Sequence, residues 1–518
     1  MNDFLQIYTY SLNLYKNNLL DEAWNSITSW EEKTGTRALL SMLLKAYILR
    51  QQKKYVSEID LLCDLLSLFE NDADKPRLSV AWNMLGSALR MLGESDLSLG
   101  AFIKSAEIEP NNEKKLVEIS NAIFVANDIE NISAAEMQSM YTLYRSILEL
   151  LSVHPYPKPE WNHEKIRIGY ISADLRSHAV GQFVRPLLFS YDANLFDVYV
   201  YQINKSCDDV TKDLQKSAVM WRDTADFSFR DIAAQIREDE IDVLVDLGGH
   251  TAGNSLPVFA YRPAKKQISG IGYFNSTGIN ECDGFLSDVY CSPNSVSPYF
   301  TEKLLRLPYT HFCYQPYKVF PDISTPPCLK NGFITFGSFN NFAKINNGML
   351  TLWREILIRV PNSRLVLKHI LLGTEEGLTY TKKRLSALGM DLSRIEFRDY
   401  SADYLQQYND IDIALDTSPY TGGVTTCEAL YMGVPVVTLK GNRHGGNFGY
   451  SFLVNIGLDE LAADTQDDYV NLAVGLSNDV ILLQALRKKL RGMMEKSPLM
   501  DSVGYMNALE DIYREILK

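Results

Sequence analysis

The sequence contains no run of about 18 uncharged apolar residues, no excess of basic charge, no paired-cysteine spacing and none of the short glycine motifs that mark common cofactor sites. Each absence excludes something. Without a long apolar run no membrane span is expected. The opening MNDFLQIYTYSLNLYKNN lacks a basic segment leading into a purely apolar one, so export is not expected either. Lys and Arg number 51 against 64 Asp and Glu, a formal net charge of −13. That balance removes electrostatic support for a non-specific grip on nucleic acid or an anionic membrane. The seven cysteines, Cys63, Cys207, Cys282, Cys291, Cys313, Cys328 and Cys427, are scattered and odd in number. They fit a reducing compartment, the cytoplasm, rather than a disulfide framework or a zinc site. No P-loop, GxSxG elbow or sheet-opening GxGxxG occurs, which counts against ATP hydrolysis, esterase chemistry and nicotinamide binding.

What is present is a chain of 518 residues, 46% hydrophobic and 22% charged, the composition of a folded globular protein of roughly three domains at ~150 residues each. Residues 1–150 carry apolar positions at helical spacing and little glycine, and are expected to form successive helices. Within them Trp82, Leu85, Gly86, Leu89, Gly93, Phe102 and Pro110 match the offsets of a tetratricopeptide repeat, in which small and aromatic residues interlock two helices. Residues 40–66 and 116–148 have suitable length but not the signature, leaving a plain helical bundle open. The prolines of His154-Pro155-Tyr156-Pro157-Lys158-Pro159 deny helix continuation and set an extended linker over 151–164.

Beyond it, short β-rich runs alternate with helical stretches: KIRIGYIS (165–172), FDVYVYQ (196–202), IDVLVDL (241–247) and QISGIGY (267–273). A second series follows: ITFGSF (334–339), SRLVLK (363–368), RIEFRDY (394–400), IDIALD (411–416) and VPVVTL (434–439). Alternation of this kind predicts βαβ units around parallel sheets, hence two Rossmann-like domains over 165–320 and 321–518. The Pro-, Tyr- and Ser-rich segment 291–331 reads as the link between them. The fold class is therefore α plus α/β, with a ligand cleft expected where the strand C-termini of the two sheets face each other.

Candidate functional residues cluster at strand exits. After IDIALD, the run Asp416-Thr417-Ser418-Pro419-Tyr420-Thr421-Gly422-Gly423-Val424-Thr425-Thr426 leads into a helix, so a Gly-Gly turn delivers hydroxyls and free backbone N–H groups suited to a phosphate. Taken alone, the same residues also make an ordinary turn and N-cap. Glu428, one turn on, is a candidate acceptor for ribose hydroxyls or a simple complement to the helix dipole. Lys344, after ITFGSF and Asn340-Asn341, offers a point charge to a diphosphate unless it is a solvated surface lysine. His178, after the first strand, and His250, ending Asp246-Leu247-Gly248-Gly249-His250, bring imidazoles to the same end. His444 sits on a glycine-rich loop expected to close over ligand. Asp410-Ile411-Asp412 has the spacing of a metal-binding pair, but strand alternation accounts for it better.

The series KIRIGYISADLRSHAVGQF, DVLVDLGGHTAGN, RPAKKQISGIGY, FGSFNNFAKIN, LDTSPYTGGVTTCEALYMGVPVVTL and KSPLMDSVGYMNALEDIY, in this order, closely resembles the O-linked N-acetylglucosamine transferase family, particularly bacterial members with few repeats. The resemblance covers about residues 80–518. It implies a GT-B pair of domains and an inverting, metal-independent transferase with no cofactor, moving a sugar from a nucleotide sugar, UDP-GlcNAc, to Ser or Thr of an acceptor protein engaged in part by the repeats. It further implies that Lys344 binds the diphosphate, Asn341 contacts the donor, Thr425 and Thr426 hold phosphate and Glu428 holds the ribose. His178 corresponds to a histidine proposed as general base, and His250, with Thr251 and Gly272, to the sugar and acceptor pocket. Tyr404 stands where many relatives carry a histidine against the uracil, so the base is less tightly specified. Two alternatives stay open: another donor, such as a UDP-hexose or CMP-nonulosonate used on flagellin or another surface protein, and an inactive repeat adaptor.

Overall fold

The computed structural model describes residues 2–151, 153–217 and 220–518; Met1, Ser152 (within the expected linker), Ala218 and Val219 lie outside the described residues. Eight helices come first: α1 (Asn2–Lys16), α2 (Leu20–Thr34), α3 (Leu39–Gln51), α4 (Tyr55–Leu68), α5 (Lys75–Met91), α6 (Ser95–Ile108), α7 (Asn112–Ala126) and α8 (Ala134–Glu149). Each packs on the next through a short connection, as in stacked helical hairpins. The stops and starts are written locally. Asp74 accepts the Arg77 N–H ahead of Pro76 at the start of α5, Asn111 caps α7, and Ser133 with Glu136 forms a reciprocal capping box on α8. The signature residues interlock as expected: a Cβ on Gly86 would lie 3.1 Å from the Phe102 ring, so α5 and α6 approach only because position 86 is bare. The segments lacking the signature form hairpins too.

Two parallel sheets follow. The first, in the N-lobe, has strands β1 (Ile166–Ser172), β2 (Phe196–Gln202), β3 (Met220–Asp223), β4 (Val243–Asp246), β5 (Lys266–Ser269), β6 (Gly284–Asp288) and β7 (Lys303–Leu307), in the order 3-2-1-4-5-6-7. The second, in the C-lobe, has β8 (Thr335–Ser338), β9 (Arg364–Lys368), β10 (Ile395–Arg398), β11 (Ile413–Leu415), β12 (Val436–Leu439) and β13 (Ala462–Ala463), in the order 10-9-8-11-12-13. Strands buried on both faces read as continuous apolar runs, which is why Val243–Asp246 and Val436–Leu439 are legible in the sequence. In both sheets the order reverses at one place, between β1 and β4 and between β8 and β11. A crevice opens at such a switch point.

Two boundaries differ from expectation. Residues 291–331 are not merely a link: they contain the 3-10 turn Asn294–Tyr299 and β7, which pairs with β6 along Gly284 to Asp288. Its five residues are too short and too closely flanked by Pro and Ser to register as a strand. The last helix, Ser502–Leu517, belongs by packing to the N-lobe. Tyr513 Oη lies 3.2 Å from Tyr170 Oη on β1, and Glu510 accepts the Asp192 N–H at 2.8 Å. The linker runs without regular structure against the N-lobe, with Tyr156 N donating to Tyr261 O and Trp161 Nε1 to Asp242.

The helical repeats touch both lobes. Asn127 and Asn275 pair at 2.7 Å, and Arg145 donates to Gly278 O of the N-lobe. On the other side Glu376 of the C-lobe accepts the Val56 N–H of α4, and Arg384 donates to Leu92 O. Among the described residues no single helix is long and apolar enough to cross a membrane. Gly86→Val should drive a β-branched side chain into Phe102 and lower stability by ~1–3 kcal/mol, read as a reduced urea midpoint; an unchanged midpoint would show that α5 and α6 do not depend on this contact.

Candidate active site

The four loops that leave the two switch points all reach one cavity. Beyond β1 lies Asp174 to His178, beyond β4 the turn Gly248 to Thr251, beyond β8 Asn340 to Lys344, and beyond β11 Asp416 to Thr425. The cavity measures about 670 Å³, and helices α5 and α7 of the repeats close its third side through Arg90, Asn121 and Phe124.

The same device builds both Gly-Gly turns: a carboxylate buried at the strand end gathers the turn's N–H groups. In the N-lobe Asp246 accepts from Gly248 N at 3.2 Å, Gly249 N at 2.7 Å and Ser269 Oγ at 2.7 Å. Gly249 has φ +52°, and a Cβ there would come within 2.3 Å of Tyr273. In the C-lobe Asp416 accepts from Gly422 N at 2.7 Å, Thr417 N at 2.9 Å and Thr438 Oγ1 at 2.9 Å. Its turn feeds the helix Val424–Tyr431, whose first residue follows Gly423 with no side-chain cap. The open N–H groups at this start, with Gly423 and Thr425, line the cavity. Thr425 Oγ1 is oriented by Asn340 Oδ1 at 2.8 Å.

Lys344 projects into the same cavity. Its ammonium donates to Thr421 O at 2.8 Å and lies 3.5 Å from the centroid of the Tyr420 ring. Burial pushes its pKa down to about 8, with Asp416 and Asp128 opposing and Arg90 adding to the depression. It is a cation near the edge of its protonation range. Asn341 also faces the cavity, and its Oδ1 caps the 3-10 turn Phe342–Lys344 that carries the lysine.

On the opposite wall His178 Nδ1 stands 3.6 Å from Asp174 Oδ2 and 3.4 Å from Val180 N. Burial lowers its pKa below the usual histidine value, Arg176 lowers it further and Asp174 opposes. A neutral, part-exposed imidazole beside a carboxylate is equipped to take a proton. Thr251 and Gly272 are also in the cavity wall.

Several expected residues sit differently. His250 borders the cavity, but both its nitrogens are committed: Nε2 faces Thr277 O at 2.8 Å and Nδ1 faces Ser120 Oγ of α7 at 2.9 Å. Since a carbonyl only accepts, Nε2 carries the proton and Ser120 donates to Nδ1. Burial among Tyr141, Tyr144 and Tyr273 pushes its pKa down to about 4. It joins the repeats to the N-lobe. His444 does not close over the cavity; it is fully buried between the lobes, with Nδ1 near Ser292 Oγ (2.9 Å) and Ser287 Oγ (3.0 Å). Thr426 is buried one residue behind Thr425. Glu428 is buried outside the cavity lining, and its Oε1 accepts from Tyr404 Oη, with Gln182 Nε2 at 3.5 Å and Lys318 Nζ at 3.7 Å from the same oxygen. Tyr404 is held in that group, with Lys318 donating to its oxygen at 2.5 Å. Asp412 of the Asp-x-Asp stretch accepts from Cys328 N and Thr335 N, a structural use. Sequence reading missed the contributions of Arg90, Asp128, Gln182 and Lys318, which only the packing of distant segments brings here.

Paired doubly wound sheets, a strand-exit cleft with a lysine and an open helix start on one side, and a last helix crossing back to the first lobe make up a two-lobed fold of the GT-B kind. The chain belongs to glycosyl transferase family 41, whose profile matches residues 146–330 and 327–509. It is 40% identical over 374 residues to a protein of Oryza sativa named as a probable UDP-N-acetylglucosamine–peptide N-acetylglucosaminyltransferase SPINDLY, covering 70% of this chain and 40% of that protein. The similarly named Arabidopsis thaliana protein is 40% identical over 361 residues, 68% of this chain and 39% of its own. The chain thus spans about 40% of the length of these curated relatives. A solved structure of a mutant Thermobaculum terrenum O-GlcNAc transferase superposes with TM-score 0.86 at 27% identity, over 99% of this chain and 96% of that one.

Buried neutral His250, with its pKa pushed to about 4, favours folding above the unfolded histidine value of ~6.5, and this contribution is lost as pH falls from there towards 4. His250→Ala should therefore lose ~1–3 kcal/mol at pH 8, from the unpaired Ser120 and Thr277 groups, and show a smaller further loss by pH 5 than the parent. Urea melts at the two pH values check both; an unchanged pH dependence would contradict the assignment.

Proposed function

We propose that the chain is an inverting glycosyltransferase that moves a sugar, N-acetylglucosamine, from UDP to serine or threonine hydroxyls of proteins without a metal ion. The observation that carries this reading is the meeting, in one cavity, of Lys344 and the uncapped start of the helix Val424–Tyr431 with His178 and Asp174 on the facing lobe. The names given to the related plant and Thermobaculum proteins support the same chemistry.

In this reading the diphosphate lies against the N–H groups at Val424 and Thr425 and the Lys344 ammonium, and the base and ribose are received beside Tyr404 and Glu428. An acceptor hydroxyl attacks the anomeric carbon in line with the departing diphosphate. The new carbon–oxygen bond forms as the bond to the phosphate oxygen breaks, and the hydroxyl proton leaves to His178, water or a phosphate oxygen. Negative charge accumulates on the leaving group, so preorganised positive charge supplies the larger share of the acceleration. The acceptor polypeptide enters from the side walled by α5 and α7, which gives the repeats a part in its recognition. A hydrogen-bonded Tyr404 in place of a free stacking ring leaves the base to be tested, and thermal-shift titration with UDP, CDP and GDP should show the largest stabilisation with UDP.

Lys344→Ala should reduce transfer by at least ~10²-fold, the scale for removing one charge-stabilising donor, with little change in melting temperature, and His178→Ala should give a smaller loss. Transfer is read as the added mass on a co-expressed acceptor. Near-parental transfer by folded Lys344→Ala protein would refute the role of the lysine.

A further inference from the structure

A second, smaller cavity adjoins the first. It measures about 250 Å³ and lies where α7 of the repeats faces the N-lobe loops 224–229 and 251–257. Asn121, Thr251 and Ala252 line both cavities, so the two meet along one wall. The fastening between α7 and the N-lobe borders the smaller one. Ser120 Oγ lies 2.9 Å from His250 Nδ1, and Asn254 Nδ2 donates to Thr251 O at 3.1 Å, which fixes the loop between the two cavities.

The two cavities differ in chemistry. Lys344, Arg90 and Arg176 line the larger, whereas Glu113 is the one charged residue among the described lining of the smaller. With no cation in its wall, the smaller cavity is not suited to a diphosphate. Its volume also falls below the range of about 300–1,000 Å³ usual for a whole small-molecule site. Its wall is largely apolar, with Leu116, Ile203, Phe229 and Pro257, and its rim carries two large apolar side chains that remain in solvent, Phe227 (45% exposed) and Val117 (50% exposed). Exposed apolar groups gathered at one cavity mark a contact surface. The rim is firmly held: Phe227 N donates to Thr224 O at 3.0 Å, Thr224 Oγ1 to Gln202 O at 3.1 Å, and Ser228 accepts Asp231 N to start the helix Phe229–Glu238. A polypeptide whose Ser or Thr hydroxyl reacts beside His178 must run out of the larger cavity. An extended chain advances about 3.3–3.6 Å per residue, so a residue a few positions from that hydroxyl crosses the shared wall at Thr251 and Ala252.

We infer that the smaller cavity is a specificity pocket for the acceptor: it takes a bulky apolar side chain, aliphatic or aromatic, that flanks the modified Ser or Thr, with Phe227 and Val117 as its rim and Glu113 disfavouring acidic residues. This rests on the acceptor being a polypeptide, as proposed above. Burial of the side chain supplies the preference and like-charge repulsion the exclusion. The choice of acceptor is then made jointly by α7 and the N-lobe, apart from the groups that hold the donor.

The test is a set of synthetic peptides with one central Ser, in which each flanking position in turn is Ala, Leu, Phe, Lys or Glu. Transfer by the parent protein should favour Leu or Phe over Ala at one position by about ten-fold in kcat/KM, with Glu the poorest there. Phe227→Asp should bring that preference to within about two-fold while UDP binding is unchanged, and Phe227→Leu should keep most of it. A residue that only supports the fold would lower transfer to every peptide alike. If Phe227→Asp does not fold, Val117→Asp, on the exposed face of α7, gives the reading. A parent that transfers sugar with no apolar preference at any position, or a folded Phe227→Asp or Val117→Asp that keeps the parental preference, overturns the inference. Fluorescence anisotropy of the same peptides, labelled, reads the pocket without turnover. A parent that binds the Leu and Phe peptides selectively but transfers no sugar would defeat the proposed function and leave the pocket standing, while binding without selectivity would overturn the pocket.

Discussion

Everything in the site depends on a lysine ammonium held in a half-buried place where three bodies of the chain meet. Lys344 comes from the C-lobe and lies over Tyr420. That ring packs on Phe274 of the N-lobe at 4.0 Å between centroids, and Phe274 meets Phe124 of the repeats edge-on at 5.1 Å. Arg90 covers Phe124 in turn. Burial weakens the lysine's hold on its proton, and the negative charge of Asp416 and Asp128 opposes that loss. In the proposed reaction a charge secluded in this way acts strongly on a diphosphate.

Around that constraint the two lobes use parallel solutions. Each sheet reverses its strand order once, and at each reversal a buried aspartate, Asp246 or Asp416, binds the N–H groups of a Gly-Gly turn. In the N-lobe the turn is locked against Tyr273 and leads to His250, a structural joint to α7. In the C-lobe it leads to an uncapped helix, the start proposed to receive the diphosphate. One lobe's turn has become a fastening while the other's borders the cavity. The repeats bind both lobes, through His250 and Asn127 on one side and Glu376, Arg384 and Arg443 on the other, so the lobes are held facing each other.

Much of this is legible from residues alone, for definite reasons. Strands buried on both faces announce themselves as apolar β-branched runs, so the strands from β1 to β12 that carry site loops can be located and their exits searched. That search finds Lys344, Thr425, Asn341 and His178, and they do share the cavity. Short and edge strands are not legible: Met220–Asp223 is largely exposed and Lys303–Leu307 sits among turn residues. Nor can residue type distinguish a working histidine from a buried one. His250 and His444 occupy strand-exit loops like His178, but burial and partners on remote segments decide their use. Glu428 meets Tyr404 and Lys318, which stand far before it in the chain, at separations that no local pattern reads as contact. Asp128 and Arg90 give no signal, because they pair across 38 residues of chain.

In the proposed function a nucleoside diphosphate is bound through a protonated Lys344 and the helix start at Gly423. Calorimetric titration of the purified chain with UDP, in the presence of a chelator and from pH 7 to 9.5, tests it most directly. Binding should weaken steadily as pH rises through about 8, where the free ammonium loses its proton; affinity that is flat across that range, or no binding at all, would contradict this mode of binding.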